Sequence, residues 1–243
     1  WGTLFLEVIL KTIIFVKRKD MISVSQVYET LLSYVRKDKR GLSFSPEDFN
    51  NAVVQVNQRI YRLNYANWEA SKLSMDELGS FKIIGSTIAL TSGIGTLPAD
   101  YFHLVGNPYY THSTAGRRQI DLITSLEHGA RELDYLTKAS LLYPTAVMGY
   151  GATSADMSIH VTPTTITSVF IDYLREVSTP HLDWYTNDTT LEVTFTAEGA
   201  GVTIPAGCTG AHGEAAGTNL TSGTVNFEWH EHDFPQILNL LLE

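Results

Sequence analysis

The sequence contains very little cysteine, since Cys208 is the only thiol in 243 residues. A single cysteine excludes an intramolecular disulfide and any zinc finger built on cysteine pairs, and it suits a reducing compartment. Basic residues are also scarce: 17 Lys and Arg stand against 26 Asp and Glu, which gives a formal charge of -9. Sequence-independent binding along nucleic-acid phosphates needs a basic face, so the charge balance argues against it.

Motifs of enzyme chemistry are missing as well. The sequence has no Gly-x-Ser-x-Gly elbow, no phosphate-binding loop and no His-Glu-x-x-His. The stretch GIGTLPAD contains only Gly-x-Gly, and Pro98 follows where pyrophosphate binding requires a helix N-terminus, so we predict a turn. Cys208 and His212 lie in a glycine-rich stretch that offers no structured element to hold a nucleophile and its base in register. We therefore assign no catalytic residue, no cofactor-binding residue and no cofactor, and we expect a protein that is not an enzyme.

The first 20 residues, WGTLFLEVILKTIIFVKRKD, are apolar but fit neither a signal peptide nor a membrane span. Glu7 and Lys11 interrupt the apolar run, and the basic cluster follows it, whereas a secretory signal has its charge first. We expect Met21 to be the true start and residues 1–20 to be translated upstream sequence outside the core. The alternative is a short interfacial or edge segment.

Two amphipathic helices are predicted next, forming a helical hairpin over residues 21–72. The first carries apolar residues at helical spacing from Val24, and the second does so after Ser45. The apolar stripes are Val24, Val27, Leu31, Tyr34 and Val35 in the first helix and Phe49, Val53, Val56, Ile60 and Leu63 in the second. The side chains of Asn57, Arg59, Arg62 and Asn64 lie off the second stripe, which predicts a solvated outer face.

The connection DKRGLSFSPEDFN resembles a calcium-binding loop in outline, but its chemistry does not fit. Placing Gly41 at the sixth loop position puts Arg36 first and Arg40 fifth, where anionic oxygen ligands should stand. A helix stop at Gly41 and a new helix start at Ser45 describe the stretch better. In that reading Ser45 caps the free amides, and Asp48 closes a capping box three residues later.

The remainder, residues 73–243, is predicted to be a mainly antiparallel β domain with long loops and a short C-terminal helix, which makes the fold class α+β. Predicted strands include AVMGYG, MSIHVT and ITSVFIDYLREV; in the last of these Val169, Ile171 and Tyr173 share one apolar face. RQIDLIT suggests another strand, and SLEHGARELDYLTKAS a short polar helix or an ordered loop. A further strand pair is predicted for LEVTFTA and TVNFEWHEH. The two are separated by a Gly/Ala/Thr-rich insertion at 198–223, which we expect to be an exposed loop or a flexible hairpin. A short C-terminal helix is predicted for FPQILNLLLE, with Asp233 as its N-terminal cap and a proline in its first turn.

A metal site is the one chemical alternative that the sequence offers. If EWHEHD is a strand, alternation places His230 and His232 on one face, about 7 Å apart, with Asp233 adjacent. A metal needs a third fixed ligand, for which His160, His181 and His212 are the other histidines considered. The alternative function is therefore a small metal-binding or metal-dependent protein built on His230, His232 and Asp233, set against an ordinary solvated or interface surface.

Aromatic residues favour an interaction protein, although core packing explains them equally well. They are Tyr61, Tyr65, Trp68, Tyr109, Tyr110, Trp184 and Tyr185.

The order of motifs from Met21 to Glu243 resembles structural proteins of tailed bacteriophages, especially the crAss-like group. The segments that carry the resemblance are RGLSFSPEDFN, TLPADYFHLVG, YPTAVMGYG, MSIHVTPTTITSVFIDYLRE and FEWHEHDFPQILNLLL. The resemblance implies a virion protein near the portal vertex, in a head–tail connector or ring layer, assembled in the bacterial host cytoplasm. The implied partners are copies of itself in a ring, portal or other tail and connector proteins, and DNA that passes through the lumen without specific binding. It implies no catalytic residue and no membrane contact.

Overall fold

The computed structural model describes residues 21–37, 44–71, 78–150 and 157–243. Within these residues the helices are α1 (Val24–Lys37), α2 (Pro46–Ser71), α3 (Ser125–Leu133) and α4 (Phe234–Leu242). The strands are mostly antiparallel, so the predicted α+β class, with helices at the N-terminus and a short C-terminal helix, is confirmed. In the described part of the chain, no helix is long and apolar enough to cross a bilayer. The predictions for residues 1–20 and for the Gly41 helix stop lie outside the described residues.

The chain divides into two compact units, with breaks after Ser74 and after Glu176. We call the residues between the breaks the sheet unit, and the remainder, which contains α1, α2 and α4, the helical unit. The predicted boundary at residue 72 lies close to the first break. The predicted β-rich domain over 73–243, however, is divided by the second break, since the residues from Val177 onward belong with the N-terminal helices.

The two N-terminal helices bury most of their predicted stripes. Val24, Val27 and Leu31 of α1 are buried, as are Phe49, Val53, Val56 and Ile60 of α2. Tyr34 and Leu63 are exposed, contrary to expectation. For Leu63 the reason is that the buried stripe of α2 ends at Tyr61, and the last turns of the helix extend beyond the core.

The start of α2 has the predicted capping box. The Ser45 hydroxyl accepts a hydrogen bond from the Asp48 backbone N–H at 3.1 Å and donates one to the Asp48 carboxylate at 2.6 Å. The same carboxylate lies 3.4 Å from the Ser45 backbone N–H. Helix α2 therefore begins at Pro46 because these side chains satisfy amides that have no partner within the helix.

The prediction of a solvated face for Asn57 is wrong. Asn57 is 1% exposed, its side-chain amide donates to the Ser178 carbonyl at 2.9 Å, and its oxygen accepts from the Trp229 indole at 2.7 Å. Helical periodicity does not distinguish this polar position from a solvated one, because its partners lie more than 120 residues away in sequence.

The sheet unit contains two sheets around one core. Its strands are β1 (Lys82–Ala89), β2 (Ile94–Thr96), β3 (Tyr101–Leu104), β4 (Tyr109–His112), β5 (Gly116–Gln119), β6 (Asp121–Leu122), β7 (Thr145–Tyr150), β8 (Met157–Thr162) and β9 (Ser168–Arg175). One sheet has the order β1-β9-β4-β5 with β3 also on β9, and the other has the order β2-β8-β7-β6. Both contribute to a single apolar cluster, which includes Ile88, Ile159 and Val169.

The strand predictions for this unit are confirmed for β7, β8 and β9. Val169, Ile171 and Tyr173 are buried on one face of β9, as the alternation predicted. The stretch RQIDLIT is divided between β5 and β6, because β5 pairs with β4 and β6 pairs with β7 of the other sheet.

The helical unit completes its core with short strands and α4. The strands are β10 (Trp184–Asn187), β11 (Val193–Phe195), β12 (Gly201–Thr203), β13 (Cys208–Gly210) and β14 (Asn219–Thr221). Strand β10 pairs with β11 and β13, and β12 pairs with β14. The insertion 198–223 therefore contains ordered antiparallel strands with buried Ile204 and Cys208, rather than a wholly exposed loop.

The predicted strand TVNFEWHEH is wrong. Its polar groups bond to the start of α1 and to the residues before it, instead of to a sheet neighbour. Asn226 Oδ1 accepts from the Val24 N–H that begins α1 at 3.0 Å, and the Phe227 N–H donates to the Ile22 carbonyl at 3.1 Å. Only Val225 makes a bridge, to His181. Residues Glu231–Asp233 form one 3-10 turn that leads into α4, where Ile237 and Leu238 are buried against the helical core.

Candidate functional site

The histidines proposed as metal ligands lie on a turn and not on a strand. The rings of His230 and His232 stack with centroids 5.4 Å apart, and His232 Nε2 lies 3.4 Å from a carboxylate oxygen of Asp233. Asp233 occupies the position before α4, but its side chain makes no capping hydrogen bond. Among the described residues, no group of three or more His, Cys, Asp or Glu is arranged to hold a metal ion.

The other histidines do not join this pair. His160 bonds to Ser158 in the sheet unit at 3.0 Å. His181 and His212 stack on each other with centroids 6.3 Å apart, and burial lowers the pKa of His181. Desolvation of the charged imidazolium is the main cause, and it favours the neutral ring.

Cys208 has no accessible thiol for nucleophilic chemistry. It lies on β13, so the expectation that no structured element holds it is wrong, and it is only 6% exposed. A thiol buried on a strand packs as a small apolar side chain.

The most unusual surface in the described chain is a segment of the sheet unit that we call the arm, residues 125–143. It begins with α3, in which no residue is buried. Four of its large apolar side chains are almost fully exposed: Leu126 at 87%, Leu133 at 91%, Tyr135 at 93% and Leu136 at 89%. Leu141, Leu142 and Tyr143 are also exposed. Large exposed apolar side chains grouped in one segment are typical of interaction sites, so we take the arm as the candidate site.

Helix α3 is amphipathic, and its apolar face points away from its own chain. Leu126, Ala130 and Leu133 follow a spacing of four and three residues, which places them in one stripe, and all three are exposed. His128 and Arg131 lie on the opposite face and are half-buried. The side of α3 that faces the rest of the sheet unit is thus polar. His128 Nε2 on this side lies 2.9 Å from the Thr162 hydroxyl at the end of β8.

Polar interactions hold α3 in shape without its leucines. The Thr124 hydroxyl caps the helix by accepting from the Glu127 N–H at 3.2 Å, and Arg131 pairs with Glu127 at 2.7 Å. A nine-residue helix is too short to be stable by itself, so these bonds and the His128 contact account for its position. The apolar stripe is left unused by the fold.

The rest of the arm is a series of hydrogen-bonded turns. Asp134 accepts from the Leu136 N–H at 3.0 Å and from the Thr137 hydroxyl at 3.0 Å. Ser140 and Tyr143 exchange two backbone hydrogen bonds, at 3.2 and 3.1 Å. These turns fix the backbone that carries the exposed tyrosines and leucines, so the arm presents a defined surface.

The C-terminal end of the arm is fixed to β4 through Tyr110. The buried Tyr110 hydroxyl donates a hydrogen bond to the Leu141 carbonyl, and burial raises the pKa of this phenol. Arg118 lies directly across from Tyr110 on β5, and its positive charge opposes that increase. The Arg118 Nε atom is itself buried and has no hydrogen-bond partner.

For the stretch SLEHGARELDYLTKAS the sequence predicts a short polar helix or an ordered loop, and it does not predict an exposed apolar face. The structure has a helix over Ser125–Leu133, followed by turns. The missed signal is the apolar spacing of Leu126, Ala130 and Leu133. Of the aromatic residues considered as interface candidates, Tyr61 and Tyr110 are buried, while Tyr65, Trp68, Tyr109, Trp184 and Tyr185 are half-buried.

Compared with models of known protein families and with curated protein sequences, the chain shows no match to either.

Proposed function

We propose that the protein is a non-enzymatic structural subunit that assembles with copies of itself into a ring near the portal vertex of a tailed bacteriophage, as a head–tail connector or ring component. The observation that carries the proposal is the arm, whose apolar stripe faces solvent while its polar face contacts its own chain. The virion setting follows the motif resemblance between Met21 and Glu243.

Burial of the arm supplies the free energy of assembly in this proposal. Fully burying a leucine side chain is worth about 1.5–3 kcal/mol, and the arm exposes leucines and tyrosines together. Tyrosine is among the residues that dominate interface energetics. Association offsets these gains with lost translational and rotational freedom, so several of these side chains must be covered at once.

A ring follows from contacts between different faces of neighbouring subunits. Such heterologous contacts close into rings when the rotation between subunits divides a full turn. The formal charge of -9 suits a lumen through which DNA slides without being gripped. Portal or other connector proteins are the further partners that this location requires.

Assembly is tested on the 243-residue chain by light scattering across a concentration series, with negative-stain images of any large peak. We expect a species of defined mass many times 27.0 kDa, with ring-shaped particles. A chain that stays at 27.0 kDa at every concentration contradicts self-assembly.

The metal-dependent alternative is tested in the same samples. Assembly that is unchanged by a chelator agrees with the proposal, because burial of apolar side chains needs no metal. Tight zinc uptake by a monomer, abolished by His230→Ala with His232→Ala, would favour the alternative instead. Among the residues that the structure describes, His230, His232 and Asp233 belong to no group of three or more side chains arranged to hold a metal.

A further inference from the structure

A groove on the outer face of α2 carries a local concentration of positive charge. It has a volume of about 400 Å³ and is lined by side chains from successive turns of the helix, namely Gln55, Gln58, Arg59, Arg62 and Leu63. Their spacing of three and four residues places them on one face of the helix. All five are exposed, so this face takes no part in the core of the helical unit.

The two arginines of the groove are not neutralised by their own helix. Between Asp48 and Glu69, α2 contains no acidic residue, although the whole chain has a formal charge of -9. Arg59 and Arg62 are three positions apart, which brings their Cβ atoms to about 5–6 Å from each other, and like charges on neighbouring turns repel. An anion bound between the two guanidinium groups would remove this repulsion.

In the described part of the chain, only one of these arginines has an ion-pair partner. Arg59 Nη1 lies 3.1 Å from a carboxylate oxygen of Glu243, and the two side chains are 58% and 63% exposed. A pair this exposed is screened by water and contributes little to stability, so an external anion can replace the carboxylate. No carboxylate of the described residues pairs with Arg62. Both guanidinium groups are therefore available to a ligand.

The lining of the groove has the chemistry that proteins use to contact a nucleic-acid backbone. Arginine binds phosphate through two parallel N–H donors, and glutamine side chains also donate to phosphate oxygens. Leu63, which is 45% exposed, adds an apolar surface that the carbon atoms of a sugar can contact. A carboxylate would also pair with arginine, but a sugar–phosphate backbone matches the guanidinium, amide and apolar groups together.

We propose that this face of α2 contacts the backbone of double-stranded DNA, with Arg59 and Arg62 on phosphate oxygens and Gln55 and Gln58 donating beside them. The inference rests on the proposed function for the identity of the polymer, and on the groove for the chemistry of the contact. Contacts to the backbone read no base sequence. Two cations per subunit in an acidic chain position DNA without holding it, which agrees with passage through a lumen.

Binding of a short fluorescently labelled duplex, followed by anisotropy over a series of salt concentrations, tests this surface. Arg59→Gln with Arg62→Gln removes both charges at exposed positions and keeps side chains that favour a helix. We expect the dissociation constant to rise about 10-fold or more, and the slope of log affinity against log salt to fall by about 1 for each arginine removed. Arg62→Lys keeps the charge without the paired donors and should bind with intermediate affinity.

A control of equal charge separates the groove from the net charge of the chain. Arg117→Gln with Lys138→Gln also removes two cations, at exposed positions of the sheet unit. This variant should bind the duplex as the wild type does. Equal weakening by the two double variants, each with the circular dichroism spectrum of the wild type, would attribute binding to net charge and overturn the assignment to α2.

Other anions identify the class of ligand. Inorganic phosphate should displace the duplex only at a far higher concentration, because a single phosphate group cannot span both arginines and the sugar contact. Binding of polyglutamate but not of the duplex, lost on Arg59→Gln with Arg62→Gln, would reassign the surface to an acidic polypeptide. A wild type that binds inorganic phosphate alone, or no anion at low salt, would also overturn the proposal.

The outcomes distinguish this inference from the proposed function, since light scattering on the same samples reports assembly separately. If the chain binds the duplex through Arg59 and Arg62 but never assembles, the ring fails and the DNA contact stands. If rings form and the duplex binds equally to the wild type and to the arginine variant, the ring stands and this inference fails.

Discussion

Helices α1 and α3 are both amphipathic, yet they use their apolar faces in opposite ways. Helix α1 buries Val24, Val27 and Leu31 within the helical unit, whereas α3 turns Leu126 and Leu133 to solvent. The sequence pattern of each helix predicts an apolar stripe, but a stripe does not specify which chain will cover it. Burial within one chain supports stability, and the exposed stripe of α3 is the surface that we propose for assembly.

The largest effect on stability is expected from the core that α1 shares with α2. Phe49 is fully buried, and its ring packs edge-on against Tyr28 with centroids 5.1 Å apart. Phe49→Ala should cost about 3–5 kcal/mol of unfolding free energy, through lost transfer energy and the cavity left behind. Leu126→Ala in α3 should change it by less than about 0.5 kcal/mol. Urea titrations of both variants, at a concentration where the chain is monomeric, measure the contrast; similar losses would remove it.

A smaller loss of unfolding free energy is expected when the buried polar contact of α2 is removed. Asn57→Ala leaves the Trp229 indole N–H and the Ser178 carbonyl without their partner, which should cost about 2–4 kcal/mol. The exposed Asn51 on the same helix is the matched control, and Asn51→Ala should stay within about 0.5 kcal/mol of the wild type. Equal effects at both positions in chemical denaturation would show that the buried network does not stabilise the helical unit.

The N-terminal cap of α2 should contribute less to the free energy of unfolding than the buried Asn57 contact does. Ser45→Ala removes the acceptor for the Asp48 N–H and should cost about 1 kcal/mol. Ser45→Asp keeps an acceptor at the same position and should recover part of the loss, although it places a second carboxylate beside Asp48. Thermal unfolding of the wild type and the two variants measures this order, and a wild-type midpoint for Ser45→Ala would contradict the role of the cap.

The smallest effect at neutral pH belongs to Tyr173 in the sheet unit. Its hydroxyl donates to Asp100 at 2.9 Å, and burial, with this bond, raises its pKa to about 12. Because the unfolded phenol ionises near pH 10, the protonated form favours the folded state, and this stability is present below pH 10 and lost as the pH rises towards 12. Tyr173→Phe should cost less than about 1 kcal/mol at pH 8 and should flatten the loss of stability between pH 10 and 12. An unchanged alkaline slope in denaturation series at several pH values would contradict the shifted pKa.

The sequence pattern correctly predicted those elements that depend only on residues close together in the chain. The Ser45–Asp48 capping box and the alternation of Val169, Ile171 and Tyr173 depend on residues a few positions apart, and both are confirmed. The predicted strand around Trp229 failed because its partners, Asn57 and the start of α1, are distant in sequence. Side-chain alternation predicts an extended segment but does not identify what lies beside it.

The candidate site could be predicted only in part for the same reason. The spacing of Leu126, Ala130 and Leu133 is visible in the sequence, and a helix was one of the two predicted alternatives for this segment, the other being an ordered loop. That the polar face would lie against the sheet unit depends on His128 meeting Thr162 of β8, a tertiary contact.

The most direct test asks whether the α3 stripe serves assembly and not the fold. Leu126→Asp with Leu133→Asp is compared with the wild type by light scattering and by thermal unfolding, and Ile84→Asp, at a side chain 71% exposed outside the arm, is the control. We predict that the double variant is monomeric with an unfolding midpoint equal to that of the monomeric wild type, while the control assembles normally. A double variant that still assembles, or one that loses its fold, would contradict the assignment of this stripe to an interface.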